Sequence, residues 1–187
     1  MLAITSLGGS GVSCTATVTP PPAPRDPITV FVLRDALHTG LVLPPLRGGA
    51  PWVEFGFGDW SWYALGNDSW YHAFATVLWP TQATLSRREF RASTPEELQR
   101  AASWTHLLPV VVSRQRADEL QRRLQQRFDT TGERVVQRPG WSMAFAPLDD
   151  DAYWLGHNCA DLAGEWLEEL GCRVSWVPIG FALACDG

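Results

Sequence analysis

The segment from Tyr153 to Gly171, YWLGHNCADLAGEWLEELG, constrains the chain more than any other. Small or apolar residues stand at 159, 162, 163, 166, 167 and 170, the spacing of one face of a helix. Asn158 is a good N-cap, and Gly171 sits where a glycine ends a helix. Cys159 is therefore expected to open a helix whose inner face is buried. A thiol there feels the positive end of the helix dipole and unpaired backbone N–H groups, which favour thiolate. The same N–H groups offer a place for an oxyanion on a substrate that the thiolate attacks. The plain alternative is an inert core cysteine that starts an ordinary helix.

The rest of the composition sets bounds. A chain of 187 residues with 45% apolar and 19% charged residues is expected to form one globular domain with a substantial core. A net charge of -5 gives no electrostatic reason to expect nucleic acid as a partner. Ten tryptophans suit either a Trp-rich core or an aromatic-lined groove. The cysteines at 14, 159, 172 and 185 lack CxxC spacing, so neither a zinc ribbon nor a thioredoxin-type motif is present. A Cys172–Cys185 disulfide is conceivable in an oxidising compartment. No apolar run reaches the roughly 18–20 residues that span a bilayer.

Residues 1–13 are small and apolar and lead to Cys14; the Thr/Pro-rich run 15–27 reads as an extended linker. Together, residues 1–27 resemble a bacterial lipoprotein leader and linker ahead of a single domain at 28–187. Gly11 departs from the usual leucine of a lipobox, and a basic n-region is missing. The expectation is export to the periplasm or cell envelope, with Cys14 lipidated as a membrane anchor.

Strands are expected at 28–33, at 37–44 with His38 at its entrance, and at 52–59, where alternation suggests a half-buried strand. Residues 60–71 read as an aromatic loop or short helix and 73–78 as a short helix. A strand at 84–90 carries Arg87 and Arg88, expected to be solvated. Thr94 and Pro95 open a helix to 102, and 106–113 contains a strand. Ser113 then caps a helix to 128, with Ala117, Leu120, Leu124 and Phe128 as its apolar stripe. Short strands or loops at 134–137 and 141–145 precede the Cys159 helix, and 172–177 closes the fold. The fold class is α+β, a small antiparallel sheet packed against the 113–128 and Cys159 helices.

A nucleophilic cysteine needs a base, and the base needs an orienting group. Of four histidines, His157 adjoins the cap and suits a structural role, while His72 and His106 lie in irregular context. His38, in a compact turn before Thr39-Gly40, is the best base; Glu54 on the next strand is the best orienting carboxylate, with Asp59 second. A zinc set of His38, His72, His157 and Cys159 lacks ligand spacing, so neither metal nor another cofactor is expected.

The runs HTGLVLP (38–44), WVEFGFGD (52–59) with Tyr63, and YWL…NC (153–159) together resemble an uncharacterised bacterial family, conserved hypothetical proteins of the urease region. The resemblance covers roughly residues 28 to 180. The order His, acidic residue, then Cys on a late helix is similar to circularly permuted papain-like enzymes, which include NlpC-like amidohydrolases and lecithin:retinol acyltransferase-like enzymes. The resemblance implies a permuted papain-like fold with Cys159 as nucleophile, His38 as base and Glu54 as its orienting group. It also implies Trp52, Asp59, Tyr63 and Asn158 near the substrate groove. After the cysteine, Ala160, Asp161 and Leu162 depart from the family pattern of Asn and an aromatic.

Two functional classes follow. One is a thiol hydrolase or acyltransferase that acts on an acyl, peptide or lipid substrate through an acyl-Cys159 intermediate, as a monomer. The other is a non-catalytic envelope protein that binds a ligand or partner through a Trp-rich groove.

Overall fold

The structure, a computed structural model, describes residues 15–35, 38–47, 49, 51–67, 69, 79–175 and 182–185. The strands are β1 (Thr15–Thr19), β2 (Pro27–Arg34), β3 (Thr39–Leu43), β4 (Trp52–Asp59), β5 (Thr81–Phe90), β6 (His106–Ser113), β7 (Val136–Gln137), β8 (Met143–Tyr153), β9 (Arg173–Ser175) and β10 (Ala182–Cys185). The helices are α1 (Pro95–Ala101), α2 (Arg114–Asp129) and α3 (Cys159–Glu169); a π-helical turn, Trp60–Ala64, follows β4. Seven strands form one sheet in the order β6-β2-β3-β4-β5-β8-β7, every neighbouring pair antiparallel. The α+β class expected from the sequence is the class observed, but the sheet is larger than the small one expected. The short strand expected within 134–137 is β7; 141–145 read as a short piece because Pro147 and a run of three aspartates obscure the strand that continues to Tyr153.

The strand 52–59 was expected to be half-buried, and all eight of its residues are buried. Its alternation separates two covered faces. Val53, Phe55 and Phe57 enter the main core with Leu120, Leu124 and Phe128 of α2 and Ala163, Trp166 and Leu167 of α3. Trp52 belongs to a second cluster, with Phe31, Val42, Phe90 and Leu98 of α1. At the sheet's edge β6 pairs, among the described residues, only with β2, which is why it accommodates the exposed Pro109.

The helix ends follow local chemistry. Thr94 caps α1 by accepting from Glu97 N–H at 3.2 Å, with Pro95 in the first turn. Ser113 occupies the cap position of α2 without a side-chain cap bond; the first N–H, of Arg114, donates instead to Asp26 O at 3.0 Å. α3 ends in a Schellman motif at Gly171, whose φ is 92°. Gly171 N–H donates to Glu168 O at 2.9 Å and Cys172 N–H to Leu167 O at 3.0 Å. Arg116 Nη1 reaches Glu169 O at 3.0 Å and ties α2 to this end of α3.

The expected linker needs correction. Thr15–Thr19 is a strand, the centre of a three-stranded sheet in which it pairs parallel with β10 and antiparallel with β9. Ala16 and Val18 are buried in the main core. Threonine between Ala and Val reads as polar low complexity, yet its β-branched side chains suit the outward side of a strand. The expected helix at 73–78 lies outside the described residues, as does the side chain of Cys185. Among the described residues no helix is long and apolar enough to cross a membrane.

If β1 belongs to the fold, Val18→Ala is expected to cost roughly 2 kcal/mol of stability from lost methyl burial and the cavity left behind. Urea denaturation of the full chain measures it; a change in midpoint within error would return Thr15–Thr19 to the status of a linker.

Candidate functional site

His38 ends the approach to β3, and Glu54 lies in the middle of β4. The β3–β4 register sets Gly40 opposite Gly56 and Val42 opposite Glu54. His38 Nε2 and Glu54 Oε1 are 3.1 Å apart, with the carboxylate fully buried and the imidazole 15% exposed. Two glycines make room for this pair. A Cβ on Gly40 would lie 2.8 Å from Glu54 Oε1, and one on Gly56 would lie 2.6 Å from His38 Cε1. A third, Gly58, does the same for Tyr63, whose ring a Cβ would approach to 2.5 Å. The HTG and GFG runs are thus a side-chain-free floor, a role that alternation along the strand did not reveal.

Cys159 is the first residue of α3 and is buried, 7% exposed. Cys159 lies near enough to His38 to act on the charge of its imidazole. Glu54 takes Nε2; the other ring nitrogen, Nδ1, is buried and has no hydrogen-bond partner among the described residues. Burial alone lowers the pKa of the imidazole, but the proximity of Cys159 and Glu54 outweighs it and raises the value from 6.5 to about 9.

Beyond these three, the expected site residues separate into two groups. Tyr63 stays at the site, its ring 6.0 Å from that of His38. Burial first, then the charges of Cys159, Asp35 and Asp59, push its hydroxyl far above the usual phenol range. Asp59 does not face the groove. It is buried and caps the π-helical turn that carries Tyr63, accepting from Trp62 N–H at 2.6 Å and from Thr81 Oγ1 at 2.5 Å. Asn158 is also a cap: its Oδ1 accepts from Ala160 N–H at 2.8 Å and Asp161 N–H at 3.4 Å, its Nδ2 donates to Leu155 O, and Asp161 completes a capping box. Two first-turn donors once free for an oxyanion are therefore occupied. Trp52 packs on Phe31 at 5.6 Å and borders a separate groove of about 510 Å³ that no member of the Cys–His–Glu set lines. The N-cap expected at Asn158 is thus observed, whereas the cap at Asp59 was not anticipated.

Two further expectations are corrected by the neighbours these residues find. Arg88, expected in solvent, has a side chain only 12% exposed and places Nε 3.3 Å from Glu54 Oε2, out of hydrogen-bond alignment. Arg87 pairs with Glu89 and lies over Phe128. The ladder makes Arg88 the direct cross-strand partner of Glu54, and no sequence signal across a 21-residue connection could set that register. His157 bonds Asp151 Oδ1 at 3.1 Å and packs edge-on against Phe57; His106 is exposed, and His72 lies outside the described residues. Among the described residues no three His, Cys, Asp or Glu side chains gather as a metal site.

A pocket of about 240 Å³ opens beside His38, walled by Tyr63, Arg88 and the indoles of Trp62, Trp104 and Trp141. Trp104 and Trp141 are 48% and 39% exposed. Each has a guanidinium over its ring, Arg88 at 4.6 Å and Arg138 at 4.8 Å. Trp166 and Trp52, by contrast, are core. Cys159 is not among the pocket walls.

No family model, curated protein or solved structure matches the chain.

Two outcomes test the geometry. The His38 pKa is raised, so its contribution to stability is complete below about pH 6.5 and is lost as pH rises through about 9. Denaturation midpoints of the protein are expected to fall across that window, and His38→Gln is expected to flatten the fall; equal slopes would contradict the pairing. Gly56→Ala is expected to displace the imidazole, seen as a His38 NMR titration midpoint moving from about 9 toward the ordinary 6.5.

Proposed function

We propose that the protein is a thiol hydrolase or acyltransferase that acts on an amide or ester through an acyl-Cys159 intermediate, on a circularly permuted papain-like scaffold. The observation that carries this reading is a single imidazole, His38, paired through Nε2 with a buried carboxylate and set beside a cysteine that opens a helix. In this reading Sγ of Cys159 attacks the carbonyl carbon as the thiolate of an imidazolium–thiolate pair. The tetrahedral oxyanion forms near the Cys159 N–H, the first-turn donor that the Asn158 cap leaves open among the described residues. As the intermediate collapses, the bond from carbon to the leaving nitrogen or oxygen breaks, and His38 gives that atom its proton. Water or an acceptor hydroxyl then attacks the thioester carbonyl, His38 takes its proton, and the thiolate is released. Glu54 keeps the imidazole oriented and stabilises its charge. The leader-like residues 1–14 support a place in the cell envelope, with Cys14 as a lipid anchor.

A second reading also has an observation in its favour. The thiol does not border the pocket, whereas the exposed Trp104 and Trp141 do. A non-catalytic envelope protein that binds its ligand between indoles would have those features.

The deciding experiment uses an activated ester, 4-nitrophenyl acetate, with intact-mass detection of the acylated protein. The enzyme reading expects an acetyl adduct on Cys159, its absence in Cys159→Ala, and acylation slowed roughly 10²–10⁴-fold in His38→Ala with its melting temperature little changed. Turnover that survives in Cys159→Ala would remove the thiol from the mechanism. A wild-type protein that forms no adduct would leave the binding reading.

A further inference from the structure

The Cys159–His38–Glu54 set leaves half of the Glu54 carboxylate unexplained. Oε1 is taken by His38, while Oε2 is buried and accepts no hydrogen bond. We propose that Arg88 is a positioning residue of this site, which keeps Glu54 ionised and turned toward His38 and so acts on Cys159 through that pair.

Three observations fix Arg88 in that role. The β4–β5 ladder sets it directly opposite Glu54, so its side chain leaves the sheet on the same face. Its Nε stands 3.3 Å from Oε2, too poorly aligned for a hydrogen bond but close enough for strong attraction in a water-free setting. Its guanidinium is held from the other side: the Trp104 ring lies at 4.6 Å, the Phe90 ring at 5.8 Å, and Nη2 is 3.8 Å from Met143 Sδ. Cation–π contacts favour this charge where water does not reach it.

The charges explain why such a residue is needed. The groups that face the His38–Glu54 pair are Cys159 from α3, Tyr63 from the π-helical turn and Arg88 from β5; Asp35, before the turn into β3, acts on Tyr63. Only Arg88 carries a cation that does not titrate. Without it, a carboxylate with no access to water depends on an imidazole that is free to lose its proton. Desolvation then favours the pair in which one proton is shared and neither group is charged. His38 would lose the anion that holds its proton, and the thiol would lose its imidazolium. The proposal rests on the thiol-enzyme reading only for that last step.

The test follows the His38 Cε1 proton by NMR titration in the full-length protein, alongside the pH profile of iodoacetamide reaction at Cys159. In Arg88→Met the His38 midpoint, near 9 in the wild type, is expected to fall by at least about one pH unit, a tenfold change in proton affinity. Arg88→Lys, which returns the charge, is expected to recover most of that shift. The alkylation profile should move in the same direction. A folded Arg88→Met protein with an unchanged midpoint overturns the proposal, as does a Met variant whose only defect is a raised KM, the mark of an arginine that merely touches substrate. Should Arg88→Met fail to fold, Trp104→Ala, which releases the guanidinium from its stack, reads the same midpoint; a downward shift supports the proposal and no shift overturns it. If the His38 midpoint moves while alkylation of Cys159 has no pH dependence, the positioning role stands and the thiol-enzyme reading falls.

Discussion

A carboxylate shut off from water, Glu54, sits between an imidazole and a guanidinium, and the middle of the sheet is arranged around that fact. Burying an ion costs several kcal/mol even after relaxation, so its partners have to be held in place before the burial is tolerable. Register does this here. Val42, Glu54 and Arg88 lie in one line across β3, β4 and β5, and Gly40 and Gly56 clear the volume that Glu54 and His38 occupy. A one-residue slip of any of these strands would turn Glu54 into the apolar core beside Phe55 or leave it without Arg88. The same ladder that makes the sheet therefore selects a single pairing, and the polar site contributes specificity as well as chemistry.

Most of the scaffold was readable because it is repetitive. A β-branched and aromatic run marked β2, apolar runs marked β3 and β6, alternation marked β4, and period-3.6 runs marked α2 and α3 with their buried faces. The Cys159 start and the Gly171 stop were readable because caps are local chemistry. His38 and Glu54 could be named because few residue types perform acid–base work. Arg88 could not be, since its meaning depends on a strand register set by a long connection. The resemblance placed Asp59 and Asn158 at the groove; Asn158 was legible as the cap of α3, whereas the short π-helical turn that Asp59 caps has no periodicity to announce it. Thr15–Thr19 was missed for a related reason: composition suggested a linker, while the alternation of Thr with Ala and Val carried the strand.

The tryptophans divide along the same line between scaffold and surface. Trp166 and Trp52 fill cores, whereas Trp104 and Trp141 stand partly in solvent with an arginine stacked on each. A guanidinium on one face of an indole draws its π density to that side. The pocket beside His38 is lined by Asp35 as well as by Arg88, so its indole walls stand among charges of both signs.

The central strand of the smaller sheet has a consequence in time as well as in space. β1 is made first, but its partners β9 and β10 begin about 155 residues later or more. At about 5–20 residues per second a ribosome takes on the order of ten seconds or longer to supply them. Throughout that interval the backbone of β1 has neither of its ladder partners. A nascent chain would carry this unpaired edge until β9 and β10 have been made, and only then can the three-stranded sheet form.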